Sequence, residues 1–156
     1  MTEDIEICVN RASGAELCEH LRTCDAAFVP PLSGRVIIEE YAAKIASAAT
    51  RVEAWAGQVL AGLVAVYLND QRKHVAFITS VSVREGYLRQ GVAARLLEEC
   101  IALAIARGFA AVELDVDATN EAALALYEKL GFARSADGDQ GLRLRLRLPQ
   151  DARRGQ

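Results

Sequence analysis

The sequence predicts an α+β domain in which one sheet is flanked by helices, and three observations lead there. Hydrophobic periodicity alternates between about 2 and about 3.6 residues along the chain, in the order β-α-α-β-β-β-α-β-α-β-β. The 156 residues are 52% apolar with a formal net charge of -3, which suits a single hydrophobic core and excludes a disordered chain. No internal repeat or low-complexity linker interrupts the pattern, so residues 1–150 read as one domain and 151–156 as a polar tail.

Each element has a local cause. Ile5, Ile7 and Val9 alternate with polar residues as in a half-buried strand. Ser13 and Glu16 have capping-box spacing, in which hydroxyl and carboxylate satisfy open amides at a helix start; Leu17, Leu21 and Cys24 follow at helical spacing. This helix should end near Phe28, before Pro30 and Pro31. Ile37, Tyr41, Ile45 and Ala48 mark a second helix. Strands at about 52–56, 59–69 and 74–83, joined by a Gly57 turn and the polar turn 69–72, form an antiparallel meander. Val92, Leu96, Leu97, Cys100, Leu103 and Ala104 make a helix that Gly108 stops. Ala111–Val116 is a strand and Glu121–Leu130 a helix ended by Gly131. Strands at 132–135 and 142–148 close the chain, with a Gly/Asp-rich turn between them.

Several functions are disfavoured by the same reading. The apolar run Ala61–Tyr67 falls far short of the ~18 residues a spanning helix needs. The acidic start MTEDIEIC is unlike a secretory signal, so the expectation is a cytoplasmic protein without a membrane partner. Cys8, Cys18, Cys24 and Cys100 lack C-x-x-C spacing, and His20 and His74 are too few and too far apart for a metal site; no metal is expected. The last 14 residues hold five arginines against Asp151, a net +4 that leaves -7 for the rest. A basic end can bind nucleic acid. Leu142, Leu144, Leu146 and Leu148 alternate with Arg143, Arg145 and Arg147, however, so a half-buried strand is the expectation, with no nucleic-acid partner.

The chemistry concentrates where the strand ending Val81-Ser82-Val83 turns through Leu88, Arg89 and Gln90 into a helix opening with Gly91, Val92, Ala93 and Ala94. Free amides and the dipole at a helix N-terminus attract anions, and small residues let a pyrophosphate come close. Neither G-x-x-x-x-G-K-[ST] nor G-x-G-x-x-G is present. The segment resembles the [RQ]-x-x-G-x-[GA] signature of the GNAT superfamily of acetyl-CoA-dependent acyltransferases. Gly91 and Ala93 match it, and Leu88 stands where Arg or Gln is usual. The segment Asn120 to Phe132 looks like the same family's N-x-x-A-x-x-x-Y-x-x-x-G-F helix.

The resemblance implies a three-layer α/β arrangement: a mixed, mostly antiparallel sheet whose strands ending at Val83 and Val116 run parallel and splay apart. It implies acetyl-CoA as cosubstrate, with pantetheine in the gap on Val81 and Val83 and the pyrophosphate on the Gly91 to Ala94 amides, helped by Arg89 and Gln90. Asn120 would bond the pantetheine, be an N-cap, or both. Tyr127 would protonate the departing thiolate, the alternative being a packed core tyrosine. No carboxylate stands on the strand 76–81, where many relatives carry the base. Glu113, Asp115 and Asp117 share one face of the next strand by alternation, and Asp115 is the candidate base acting through water. The alternative is a water held by Thr79 and Ser80. Phe28, Glu39, Thr79 and Ser80 are the candidate acceptor contacts. The expected function is acetyl transfer to the primary amine of a small molecule, with dimerisation through the C-terminal strands as an expectation from the family. Leu88 and the missing carboxylate leave a non-catalytic acyl-CoA-binding domain as the second reading.

Overall fold

The computed structural model describes residues 4–70, 74–138 and 141–149. Its elements follow the expected order: β1 (Glu6–Val9), α1 (Gly14–Cys24), α2 (Ile38–Ala48), β2 (Thr50–Ala56), β3 (Val59–Tyr67), β4 (Val75–Val83), α3 (Val92–Ala106), β5 (Ala111–Val116), α4 (Glu121–Lys129), β6 (Ala133–Gly138) and β7 (Gly141–Arg147). Helix α1 stops sooner than Phe28 because Asp25–Ala27 tightens into a 3-10 turn. The expected tail 151–156 and parts of the turns at 69–72 and 138–141 lie outside the described residues.

The strands form one seven-stranded sheet in the order β1-β2-β3-β4-β5-β7-β6. Every neighbouring pair is antiparallel except β4 and β5. That parallel pair needs a crossover, which α3 supplies. Gly62 of β3 allows α3 to lie close, since a Cβ there would stand 2.9 Å from Leu96 Cδ1 and Val92 Cγ1.

Alternate residues of β2 and β3 divide between two cores. Val52, Ala54, Val64 and Val66 pack with α3, whereas Trp55, Leu63 and Ala65 pack with α1 and α2. The second core encloses a polar node. Glu53, fully buried, accepts from the Arg11 and Ala12 amides at 3.0 Å, from Trp55 Nε1 at 2.9 Å and from Arg51 Nε at 3.4 Å. Nothing in the alternation of 52–56 announces this, because an acid at a strand position reads equally well as solvent-facing.

At the other end of the sheet, α1 and α2 no longer cover β5. The face bearing Glu113 and Asp115 is covered by arginines of β7 instead. The register sets Asp115 opposite Arg143 and Glu113 opposite Arg145, and the ion pairs close at 2.7 Å and 2.6 Å. Arg143 also lies over the Phe77 ring, 5.2 Å from its centroid. Arg143 and Arg145 are thus neutralised by the neighbouring strand. Strand β7 lies inside the sheet, and β6 is the edge. Among the described residues no helix is long and apolar enough to cross a membrane.

Candidate active site

The parallel pairing of β4 with β5 ends at Ile78 opposite Leu114, and beyond it the strands diverge. An irregularity in β4 lies at the same level: Ala65 pairs with Ser80 and Val66 with Ile78, which leaves Thr79 as an extra residue. A bulge of this kind bends its strand. The resulting cleft, of about 310 Å³, is walled by residues 78–83 of β4, by 114–117 of β5 and its following turn, by Asn120 at the N-cap of α4, and by Ala123 and Tyr127 of that helix. The bulge is one feature that the sequence alone did not reveal. Two consecutive polar residues, Thr79 and Ser80, which break the alternation of the strand, were its only signal.

At one end of the cleft stand Leu88 and Ala93, at the entry to α3. Helices α1 and α4 are capped by the side chains of Ser13 and Asn120, but α3 begins with none, so its first amides stay open. Gly91 is the N-cap residue, with φ of 76°, a left-handed conformation that glycine adopts without strain. Arg89 and Gln90 are exposed beside it. Val92 turns its side chain into the core and offers this end only its backbone, while Ala94 is half-buried. This donor set fits a pyrophosphate: open amides, small side chains and a nearby cation.

Tyr127 reaches the cleft from α4. Its ring is 7% exposed and meets Phe132 edge to face at 5.8 Å. The hydroxyl has no hydrogen bond among the described residues, and burial pushes its pKa up to about 12. It therefore keeps its proton at any pH at which the protein would be assayed. Asn120 caps α4, with Oδ1 accepting from the Ala123 amide at 3.3 Å, and also lines the cleft. Its Nδ2 group remains available.

Asp115 lines the cleft with its side chain 7% exposed, and Arg143 holds both its oxygens at 2.7 and 3.0 Å. Asp117, also in the wall, accepts from the Thr119 hydroxyl and amide, which hold its carboxyl below the usual range; Arg35 adds a smaller pull in the same direction. Glu113 turns to Arg145 and is not in the wall. Thr79 is bound by α2: the Tyr41 hydroxyl donates to the Thr79 carbonyl at 2.8 Å. The Ser80 hydroxyl is buried with no partner among the described residues. Phe28 lines the cleft from the loop after α1, together with Val29 and Leu32. Glu39 is not in the cleft wall. It stands on the first turn of α2 in an ion pair with Arg22 of α1, because that turn faces the neighbouring helix.

Ser82 belongs to a buried group that was not legible in sequence. Its side chain turns away from α3 toward His20, which is fully buried. The Leu60 carbonyl can only accept, so His20 Nδ1 donates to it at 2.9 Å and Nε2 accepts the Ser82 hydroxyl at 2.9 Å. Cys24, 3.7 Å from Nε2, lines the cleft as a neutral thiol, its pKa raised to about 11 by burial. Burial, aided by the charge of Arg84, pushes His20 down to about 4 from 6.5. The unfolded chain then binds the His20 proton more readily than the folded one. Stability should therefore fall as pH drops from about 6.5 to about 4, by about 3 kcal/mol at the acid end. Urea unfolding at pH 7 and pH 4 should show that loss, and His20→Gln should flatten it; an equally steep slope in the variant would remove His20 as its source.

The four cysteines are free, and no cluster among the described residues could hold a metal ion. Residues 15–132 match the model of the acetyltransferase (GNAT) family. Among curated proteins, the [ribosomal protein bS18]-alanine N-acetyltransferase of Escherichia coli K12 is 46% identical over 57 residues, 36% of this chain and 38% of the relative. GCN5-related N-acetyltransferase 4, chloroplastic, of Arabidopsis thaliana is 38% identical over 65 residues, 42% of this chain and 22% of the relative. The matches thus span well under half of either relative's length. The solved structure of the ribosomal-protein-S18-alanine N-acetyltransferase of Escherichia coli superposes with a TM-score of 0.74 at 21% identity, over 94% of this chain and 97% of that one. The PaiA N-acetyltransferase of Thermoplasma acidophilum, in complex with coenzyme A, gives 0.74 at 17% identity, over 92% and 99%. At such identities these two share the fold.

Proposed function

Because the chain belongs to the GNAT acetyltransferase family, we propose that it transfers an acetyl group from acetyl-CoA to the primary amine of a small acceptor, by direct attack of the amine on the thioester. The observation that carries this reading is a cleft that runs from Ala93, at the uncapped start of α3, to a protonated Tyr127 hydroxyl with no hydrogen bond among the described residues. Acetyl-CoA supplies the acyl group already activated as a thioester. The Gly91 to Ala94 amides, with Arg89 and Gln90, hold its phosphates. The unpaired edge of β4 at Val81, Ser82 and Val83 takes the pantetheine amides, and Asn120 Nδ2 adds a donor from the opposite wall.

The amine must lose its proton before it attacks. An alkylamine of pKa ~10.4 holds that proton at pH 7, at a cost of roughly 4.6 kcal/mol. Asp115 accepts it through water, and Arg143 fixes the carboxylate's direction. Tyr127 donates its proton to the departing sulfur. Thr79, held by Tyr41, and the unpartnered Ser80 hydroxyl line the acceptor's approach.

The test is thiol release from acetyl-CoA against a panel of amines, with Asp115→Asn beside the wild type. The variant should lose about 10²-fold in kcat/KM near pH 7, and the deficit should shrink as pH rises toward the amine's own pKa, because the substrate then arrives deprotonated. A deficit independent of pH would remove Asp115 from the role. A second reading, an N-terminal protein amine as acceptor, is supported by likeness to the S18-alanine enzyme; a peptide beginning with alanine belongs in the panel. Coenzyme A binding without turnover of any amine would favour a non-catalytic domain.

A further inference from the structure

The one arginine that lines the cleft among the described residues has no role in the reaction above. Arg35 lines the cleft, and among the described residues its guanidinium makes no ion pair or hydrogen bond. Arg11, Arg22, Arg51, Arg84, Arg143 and Arg145 are each engaged with a carboxylate. The backbone that carries Arg35 is fixed. Asp25 Oδ1 accepts from the Ser33 amide at 2.7 Å, the Gly34 amide donates to Pro31 at 3.1 Å, and the Arg35 amide donates to Leu32 at 2.9 Å, while Leu32 is anchored in the core. Such a loop presents its cation without ordering a flexible segment first.

Its position separates it from the cofactor's phosphates. The loop joins α1 to α2, on the face of the sheet opposite α3. Its charge is felt at Tyr41 on that face and at Asp117 at the end of β5. The acceptor's side of the cleft thus has a cation unpaired among the described residues, two carboxylates in Asp115 and Asp117, and an apolar wall of Phe28 and Val29 between α1 and that cation.

We propose that Arg35 receives a carboxylate of the acceptor, so that the acceptor is a small apolar amino acid, with its ammonium directed to Asp115 and Asp117 and its side chain against Phe28 and Val29. The inference rests on the acetyl-transfer reading. A guanidinium meets a carboxylate through two parallel N–H donors, the geometry that separates an amino acid from an amine lacking the acid.

The test compares alanine, valine, leucine, methionine and phenylalanine with their primary carboxamides, in wild type and Arg35→Gln, by thiol release from acetyl-CoA. The carboxamides have the lower amine pKa and so more free base, which biases the comparison against the proposal. Wild type should nevertheless favour at least one acid over its amide by about tenfold or more in kcat/KM. In Arg35→Gln that ratio should fall to about one through the KM of the acid, with the KM for acetyl-CoA unchanged. Amides turned over as well as acids, a preference that survives in the variant, or a rise confined to the KM for acetyl-CoA would each overturn the inference while leaving acetyl transfer intact. No thiol release with any amine would overturn the acetyl-transfer reading and this inference with it.

Discussion

Tyr127→Phe should lower kcat by about 10²-fold or more at pH 7 while leaving coenzyme A affinity and thermal stability near wild type. The substitution removes only the hydroxyl. The ring keeps its burial and its edge contact with Phe132 at 5.8 Å. The lost group has no hydrogen bond among the described residues, so no partner is orphaned. A structural tyrosine would show the reverse pattern, with stability affected and turnover spared. The pH profile adds a second readout. Burial holds the Tyr127 pKa at about 12, so the wild type should show no alkaline loss of activity from this group in the working range. The variant's deficit should narrow above pH ~8.5, where a thiolate departs without a proton. A deficit that is constant across pH would mean that Tyr127 does not act as the acid.

Glu53→Ala should destabilise the fold by about 3–5 kcal/mol, the range found when one partner of a buried ion pair is removed. The reason is the number of groups left behind. Arg51 keeps a buried charge, and the Ala12 amide and Trp55 Nε1 lose their acceptor at a fully buried position. For a domain of this size the melting temperature should fall on the order of 10 °C. Glu53→Gln keeps an acceptor oxygen and should recover part of the loss. Calorimetry on the two variants checks the order, and an alanine variant within 1 kcal/mol of wild type, on the order of thermal energy at ~0.6 kcal/mol, would reduce the node to a surface-like contact.

The order of the elements could be read from the chain because each is driven by a local signal. The Ser13–Glu16 capping box, the alternation of 142–148 and the glycine after α4 act over a few residues, and all appear in the structure. The helix end at α3 was legible for the same reason, since absence of a cap and presence of small residues are local facts. What could not be read depends on pairing between distant strands. The bulge at Thr79 exists only relative to β3. Arg143 and Arg145 read as a basic strand until the register sets them against Asp115 and Glu113. His20 and Ser82, 62 residues apart, meet only through the packing of α1 on the sheet. Glu39 was chosen for its place at the start of a helix, and the neighbouring helix decides its partner instead.

The insertion of β7 between β5 and β6 also bears on how the molecule is assembled. Strand β6 precedes β7 in the chain, yet the sheet gives it no partner but β7. Until residues 141–147 arrive, β5 ends the sheet as a bare edge carrying two uncompensated acids, and β6 has nothing to dock on. The pairing that sets Asp115 against Arg143 is therefore made by a late, long-range closure, a kind of contact that slows folding. A nascent chain arrested before residue 141 would hold β4, β5 and α3 in outline and lack the arginine that pairs with Asp115, so that ion pair is gained last.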